Sequence, residues 1–460
     1  MIYWNFNRFY YFQGYNIEVR CKAGDNKVYR EQTINNITQL IEDEEYHCRC
    51  KNGFPGAFSR DRKLTFKELI VFISRGVKSS LQRELDSFYK EVTGSDFNIR
   101  QVTKGAFSQA RLKLKPEAFI ELNTSVVNTF YEGAPWLAWC GFRLLAVDGS
   151  RLVLPNHPSV IEEFGQHHFG PDADSPRSLA LCSMLYDPLN LLTIDTQLAP
   201  YSSSERNLLY QHLDHVKEGD LLLLDRGYPS IALLFLLTAK KIQFCVRMKE
   251  DWWLTVKEFK ESGKNEQIVE FALPAKDKKL LKDYPDFIDD TIGCRLVRVD
   301  LPNGEVEILC TSLLDPSFTP TDIEELYHLR WNEEEGYKLL KSRIEVENFS
   351  GKTCIAVKQD FYAKIYMSSL CASLAFPIEE KVKKEYQESK NKHPQKINRT
   401  SAYAMLQNVS IGMLLGKTVR LALDAYDNII YRTRELIRPG RQIERKKRPK
   451  KIHYMNYKQL

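Results

Sequence analysis

The spacing of apolar positions changes several times along the chain, and each change marks an element. From Phe58 onward the spacing is helical. Leu69, Ile70, Phe72 and Ile73 follow Thr65 and Glu68, which stand as a capping box. Further helices are predicted over 79–92, 103–112 and, after Pro116, 117–131. At Phe142 the period shortens. Leu144 to Val147 is a buried-strand run that ends at Asp148-Gly149-Ser150, and 151–154, 178–186 and 191–198 read as further strands. Ser202-Ser203-Ser204 with Glu205 opens a helix to about Val216, and the apolar strand 220–224 ends at Asp225-Arg226-Gly227-Tyr228. A helix over 230–240 and a strand over 243–248 complete a pattern that predicts a mixed α/β sheet covered by helices.

From 251 to 316 the pattern is interrupted. A lysine-rich stretch precedes strand runs at 294–299 and 306–312 around the turn pair Asn303-Gly304, which predicts an inserted β-rich subdomain. One long helix is predicted over 322–347, with helical pattern again at 359–375 and 401–425. Residues 1–57 carry an aromatic cluster and a single helical candidate near 37–45, and read as an extension with no assigned chemistry.

The helix over 322–347 bears a narrow polar stripe. At about 100° per residue, with Tyr327 at zero, Arg330 falls near roughly −60°, Glu334 near −20° and Lys341 near −40°. Glu333 and Glu335 fall near roughly 240° and 80°, so the arithmetic selects Glu334 among the three adjacent glutamates. Taken alone, the stripe is equally well a solvated face with i,i+4 ion pairs. The two strand-end aspartates change that balance. An aspartate just past a buried run adds nothing to a core, whereas Asp148 and Asp225 at neighbouring strand ends could converge with Glu334. Three converging carboxylates repel one another unless cations neutralise them. Their hard oxygens suit two Mg²⁺ or Mn²⁺ ions, the arrangement that drives phosphodiester displacement. Arg330, Lys341 and Tyr327 would then hold phosphates.

Composition narrows the setting. The 460 residues predict two or three domains, and a net charge of +6 permits an anionic partner without demanding one. The basic run ERKKRPKK near the C-terminus, together with Lys104 and Arg111 around a short helix, points to nucleic acid. Ten scattered cysteines give neither a disulfide framework nor paired zinc ligands, and suggest a reducing cytoplasm. No apolar run is long enough to span a membrane, and no signal peptide is evident.

With these residues in hand the chain resembles bacterial insertion-sequence transposases of the DDE type, in the insertion-sequence-four group. That group is marked by Tyr, Arg, Glu and Lys at the gaps seen here in Tyr327, Arg330, Glu334 and Lys341. VDGS around Asp148, DRGY around Asp225, GAFSQAR at 105–111 and NFSGKTCIAVKQDFYA after the signature add to the likeness, which covers roughly 58–440. An apolar residue often precedes the family's glutamate, and here Glu333 stands in that place.

The resemblance implies an RNase H-like catalytic core with Asp148, Asp225 and Glu334 as catalytic metal ligands. It divides the chain into the extension 1–57, a helical DNA-binding domain 58–135, the core 136–250, the β-rich insertion 251–316, the catalytic helix 317–350, a C-terminal helical region 351–437 and the basic tail 438–460. It implies cut-and-paste transposition through a DNA hairpin, by a homodimer on transposon-end and target DNA, in the cytoplasm at the nucleoid. Members can stack a flipped base on an aromatic of the insertion, for which Trp252 and Trp253 are the candidates. Two other readings remain, a catalytically inactive or domesticated DNA-binding protein and a general RNase H-like nuclease. All three carboxylates are intact, which argues against decay.

Overall fold

Local signals start many of the elements. In the computed structural model the Thr65 and Glu68 side chains close the expected capping box on the helix Phe66–Arg75, and Thr319 with Asp322 close another on Pro320–His328. The structure describes residues 17–20, 26–60, 62–168, 176–249, 253–285, 291–301, 304–389, 393–416 and 418–437. In chain order the elements are β1 (Ile17–Arg20), α1 (Asn26–Glu42), α2 (Glu44–Cys50), α3 (Phe66–Arg75), α4 (Leu81–Thr93), α5 (Lys104–Arg111) and α6 (Glu117–Gly133). The central part comprises β2 (Trp136–Trp139), β3 (Arg143–Leu154), α7 (Pro158–Phe164), β4 (Ser178–Asp187), β5 (Leu192–Pro200), α8 (Glu205–His212), β6 (Asp220–Leu224), α9 (Ile231–Ala239) and β7 (Gln243–Arg247). Then follow α10 (Leu254–Glu261), β8 (Glu266–Ala272), β9 (Thr291–Asp300), β10 (Val306–Thr311), α11 (Pro320–His328), α12 (Asn332–Ser342), α13 (Cys354–Gln387), α14 (Arg399–Leu414) and α15 (Val419–Arg432).

Eight strands form one mixed sheet in the order β5-β4-β3-β6-β7-β10-β9-β8. β3, β4 and β5 make an antiparallel meander, β6 lies parallel to β3 on its other side, and β7 lies parallel to β6. The apolar helix α9, whose residues Ala232 to Leu237 are all buried, links β6 to β7. β4 and β6 are buried along their whole length, as strands covered on both faces must be. No helix among the described residues is long and apolar enough to cross a membrane.

Two expectations are corrected. The strands of 251–316 do not form a separate subdomain. β10 pairs antiparallel with β7, and β9 and β8 follow it, so the sheet simply continues. β10 is buried from Glu307 to Thr311, the environment of an interior strand. Residues 26–50 are likewise no loose extension. Ile34, Ile37, Ile41, Tyr46 and Cys50 lie in one hydrophobic core with α3–α6, the outer half of β3 and α12–α15. The Arg30 guanidinium grips the Asp427 carboxylate with two hydrogen bonds, tying α1 to α15. The helices of 58–135 share that core, so they are not a detachable module.

Candidate active site

Strand register sets Asp148 and Asp225 side by side. β3 and β6 are parallel with Val147 opposite Leu224, so the next residue of each chain leaves at the same level. Neighbouring strands lie about 4.8 Å apart. Beyond this point β3 continues to Leu154 paired with β4 alone, which opens a gap at the ends of the parallel strands. The strand order reverses between β3 and β6, and such a reversal is where α/β sheets place their sites. Burial pushes the Asp148 carboxyl up to about 6, and the Asp225 and Glu205 charges add to this, while Arg330 and the Gly149 N–H oppose it. The Tyr327 hydroxyl reaches Asp225 at 3.4 Å.

The long helix over 322–347 is not continuous. α11 ends at His328, Leu329–Trp331 form a 3₁₀ turn, and α12 begins at Asn332. A 3₁₀ step turns about 120° rather than 100°, so three such residues add roughly 60° to the rotation counted from Tyr327. That correction swings Glu333 inward. Its side chain is fully buried, neither oxygen makes a well-aligned hydrogen bond although the Asp148 N–H lies near, and its charge faces Asp148 and Arg330. Burial and Asp148 push its pKa well up. Glu334, which the uniform count favoured, is half-exposed and stands 3.9 Å from Arg330. Arg330 is itself buried and packs over the Tyr327 ring, with Asp225, Asp148 and Glu333 as its charged neighbours. Lys341 donates to Ser150 Oγ at 2.7 Å and to the Arg151 carbonyl at 2.6 Å, which pins α12 beside Asp148. Gly336 permits this approach, since a Cβ there would stand 3.2 Å from the Tyr186 ring.

Two groups here escaped the reading of the sequence. Glu205, the first residue of α8, lies over Gly149, where an added Cβ would meet its Oε1 at 2.5 Å. The Tyr228 hydroxyl, buried and without a partner, lies in the field of Glu205, Asp148, Glu333 and Asp225. An acidic residue opening the helix before β6 was the available signal, and a helix-start role accounted for it too readily. Among the described residues no three His, Cys, Asp or Glu side chains stand close enough, as they are, to hold a metal ion.

The family model of the transposase DDE domain matches residues 139–370, just over half of the chain, and spans all of these groups. The chain belongs to the transposase DDE family. It is 27% identical over 321 residues to the transposase InsG of insertion sequence element IS4 from Escherichia coli strain K12, covering 68% of this chain and 70% of that protein. It is thus a bacterial DDE transposase of the insertion-sequence-four type. A solved piggyBac transposase synaptic complex with hairpin DNA is similar over 90% of this chain and 87% of that one, at 12% identity and a TM-score of 0.42.

The transposase corrects one expected DNA contact. Arg111 is buried and donates to Gln359 Oε1, Ser350 Oγ, the Ala356 carbonyl and Asp360 Oδ1. All these partners lie near the start of α13, so its guanidinium joins α5 to α13 and has no surface to offer a phosphate. Lys104 opens α5 and is exposed. Trp253 is half-buried with its ring edge-on to Phe271 at 5.0 Å, while Trp252 and the tail 438–460 lie outside the described residues.

Proposed function

We propose that this transposase moves an insertion sequence by cut-and-paste, hydrolysing phosphodiester bonds at the element's ends and joining them to target DNA through a hairpin intermediate. The observation that carries the reading is the pairing of Asp148 and Asp225 at the open ends of two parallel strands, with the buried Arg330 guanidinium beside them. The strand order β5-β4-β3-β6-β7, a meander followed by two parallel strands, supports an RNase H-like core.

The donor set fits a hard divalent cation. It is all carboxylate oxygen, its charges raise one another, and a buried hydroxyl among them has no partner. Asp148, Asp225 and Glu334 would hold two Mg²⁺ or Mn²⁺ ions. Glu334 is the better third ligand because it is half-exposed and can meet a hydrated ion, whereas Glu333 is sealed behind it. When bound, such a pair activates a water or 3′-hydroxyl and neutralises the leaving oxygen. The chain's own groups do the positioning. Arg330, with an unpaired Nε, orients a phosphate against the aspartates, Tyr327 donates beside Asp225, and Lys341 lines the far side near Ser150. Lys104 and the basic tail 438–460 contact DNA outside the site, and Trp253 or Trp252 stacks an extruded base. A homodimer pairs two ends in the cytoplasm at the nucleoid. Within this reading 58–135 is the DNA-binding segment, 136–250 with 317–350 the catalytic core, 251–316 the continuation of its sheet and 351–437 the helical support.

Replacing Asp148, Asp225 or Glu334 by Ala is expected to abolish Mg²⁺-dependent cleavage of end DNA while gel-shift binding to it persists. Cleavage that survives in all three variants would remove the assignment. Loss in Glu333→Gln with activity kept in Glu334→Ala would move the third role by one residue. Cleavage of arbitrary DNA without strand joining would favour a general nuclease instead.

A further inference from the structure

We infer that Glu205 is a fourth carboxylate of the cation centre, held over the Asp148-Gly149 peptide by α8. This deepens the reading proposed above and rests on it. An acidic first residue of a helix has an ordinary explanation in the helix dipole. That explanation does not account for where this carboxylate lies. It occupies the space a Gly149 side chain would fill, with Oε1 2.5 Å and Cδ 2.9 Å from the ideal Cβ position, and Oε2 approaches the corresponding position on Gly227 at 3.9 Å. The carboxylate therefore spans the two glycines that follow the two aspartates. It accepts no hydrogen bond among the described residues, and its charge adds to that of Asp225.

The placement is built rather than incidental. Arg206, the next residue, donates to the carbonyls of Tyr228, Gly227 and Pro229 at 3.0, 3.3 and 3.2 Å. These bonds strap the start of α8 to the loop after Asp225, so Glu205 cannot drift from the aspartates without breaking them. A second observation points to a ligand. The Tyr228 hydroxyl is 1% exposed, has no hydrogen-bond partner, and lies in the field of Glu205 and Asp148 above all. Buried polar atoms without partners are rare in folded proteins, and a lone hydroxyl in the field of these carboxylates is a place for the water of a hydrated cation. Glycine at 149 follows from the same arrangement, because any side chain there would displace the Glu205 carboxylate.

The test is Mn²⁺ binding to the full chain without DNA, followed by the electron paramagnetic resonance of the free ion. The variants are Glu205→Gln, Glu205→Asp and Asp148→Asn. Glu205→Asp keeps the charge at the helix start but withdraws the carboxylate by about 1.5 Å, the length of one C–C bond. If Glu205 holds the cation, both of its variants weaken Mn²⁺ about tenfold or more, and Asp148→Asn does the same, with unchanged melting of Glu205→Asp. Wild-type affinity in both Glu205 variants, with loss in Asp148→Asn, overturns the role of Glu205 and leaves the catalytic reading standing. Mn²⁺ that fails to bind the wild-type chain overturns both.

Discussion

Arg111 separates a DNA contact from a structural clamp, and the two make opposite forecasts. Its guanidinium makes four hydrogen bonds of 2.8–3.1 Å, one of them to the buried Asp360. Burial pushes the Asp360 carboxyl up, but Arg111, Lys364 and the Ser350 bonds hold it below its usual range, so it carries charge in the folded state. Arg111→Met keeps the apolar stem and removes the charge. Breaking a buried pair from one side costs about 3–5 kcal/mol. The Ser350 N–H and hydroxyl still bond Asp360, which places the cost near the lower end, about 3 kcal/mol. Melting entropy of about 2.1 cal/mol/K per residue gives roughly 1 kcal/mol/K for a chain of 460 residues, so the melting point should fall by about 3 °C if the chain melts as one unit. Urea unfolding should show the same loss, and Arg111→Met combined with Asp360→Asn should cost less than the sum of the single changes. Binding of end DNA should keep its salt dependence. Lys104→Ala is the counterpart, with stability within about 0.5 kcal/mol of wild type and a salt slope lowered by about one charge. An Arg111 variant of unchanged stability with a reduced salt slope would refute the clamp.

Two further expectations follow from burial. His328 is 8% exposed, and burial lowers its pKa to about 4 from an ordinary value near 6.5. The unfolded chain therefore takes up a proton that the folded chain refuses, so this stability is present above pH 6.5 and is lost as pH falls toward 4. The loss reaches at most about 3 kcal/mol, and His328→Gln should remove that part of the acid sensitivity in paired unfolding curves. An identical pH dependence in both proteins would contradict it. Glu333→Leu replaces a sealed, protonated carboxyl that has no well-aligned hydrogen bond with an apolar group of similar size, and should stabilise the fold by about 1–3 kcal/mol in urea. A loss of stability would mean that Arg330 depends on Glu333 for its charge balance.

By itself the sequence determined the pieces that depend on near neighbours. The apolar runs before Asp148 and Asp225 needed only their own residues to read as buried strands, and Thr65 and Thr319 with their partners three residues on were sufficient to start helices. The gaps between Tyr327, Arg330, Glu334 and Lys341 were also legible, and they pointed to the helices that bring Lys341 to Ser150, beside Asp148. What the sequence could not show was which side chains a distant partner or an accumulated angle would bury. A 3₁₀ turn of three residues was enough to bury Glu333 and leave Glu334 half-exposed, because helical position sums over every step before it. Arg111 looked like a surface base because its partners stand 239–249 residues away. β10 looked like part of an insertion because a strand's neighbour is chosen by free edges elsewhere in the sheet, here that of β7. Glu205 looked like a helix start until the register of β3 on β6 set its neighbours. Propensity and spacing act within a turn or a strand. Only tertiary structure decides which strand edges pair and which charges end up buried, because burial and pairing join residues hundreds of positions apart.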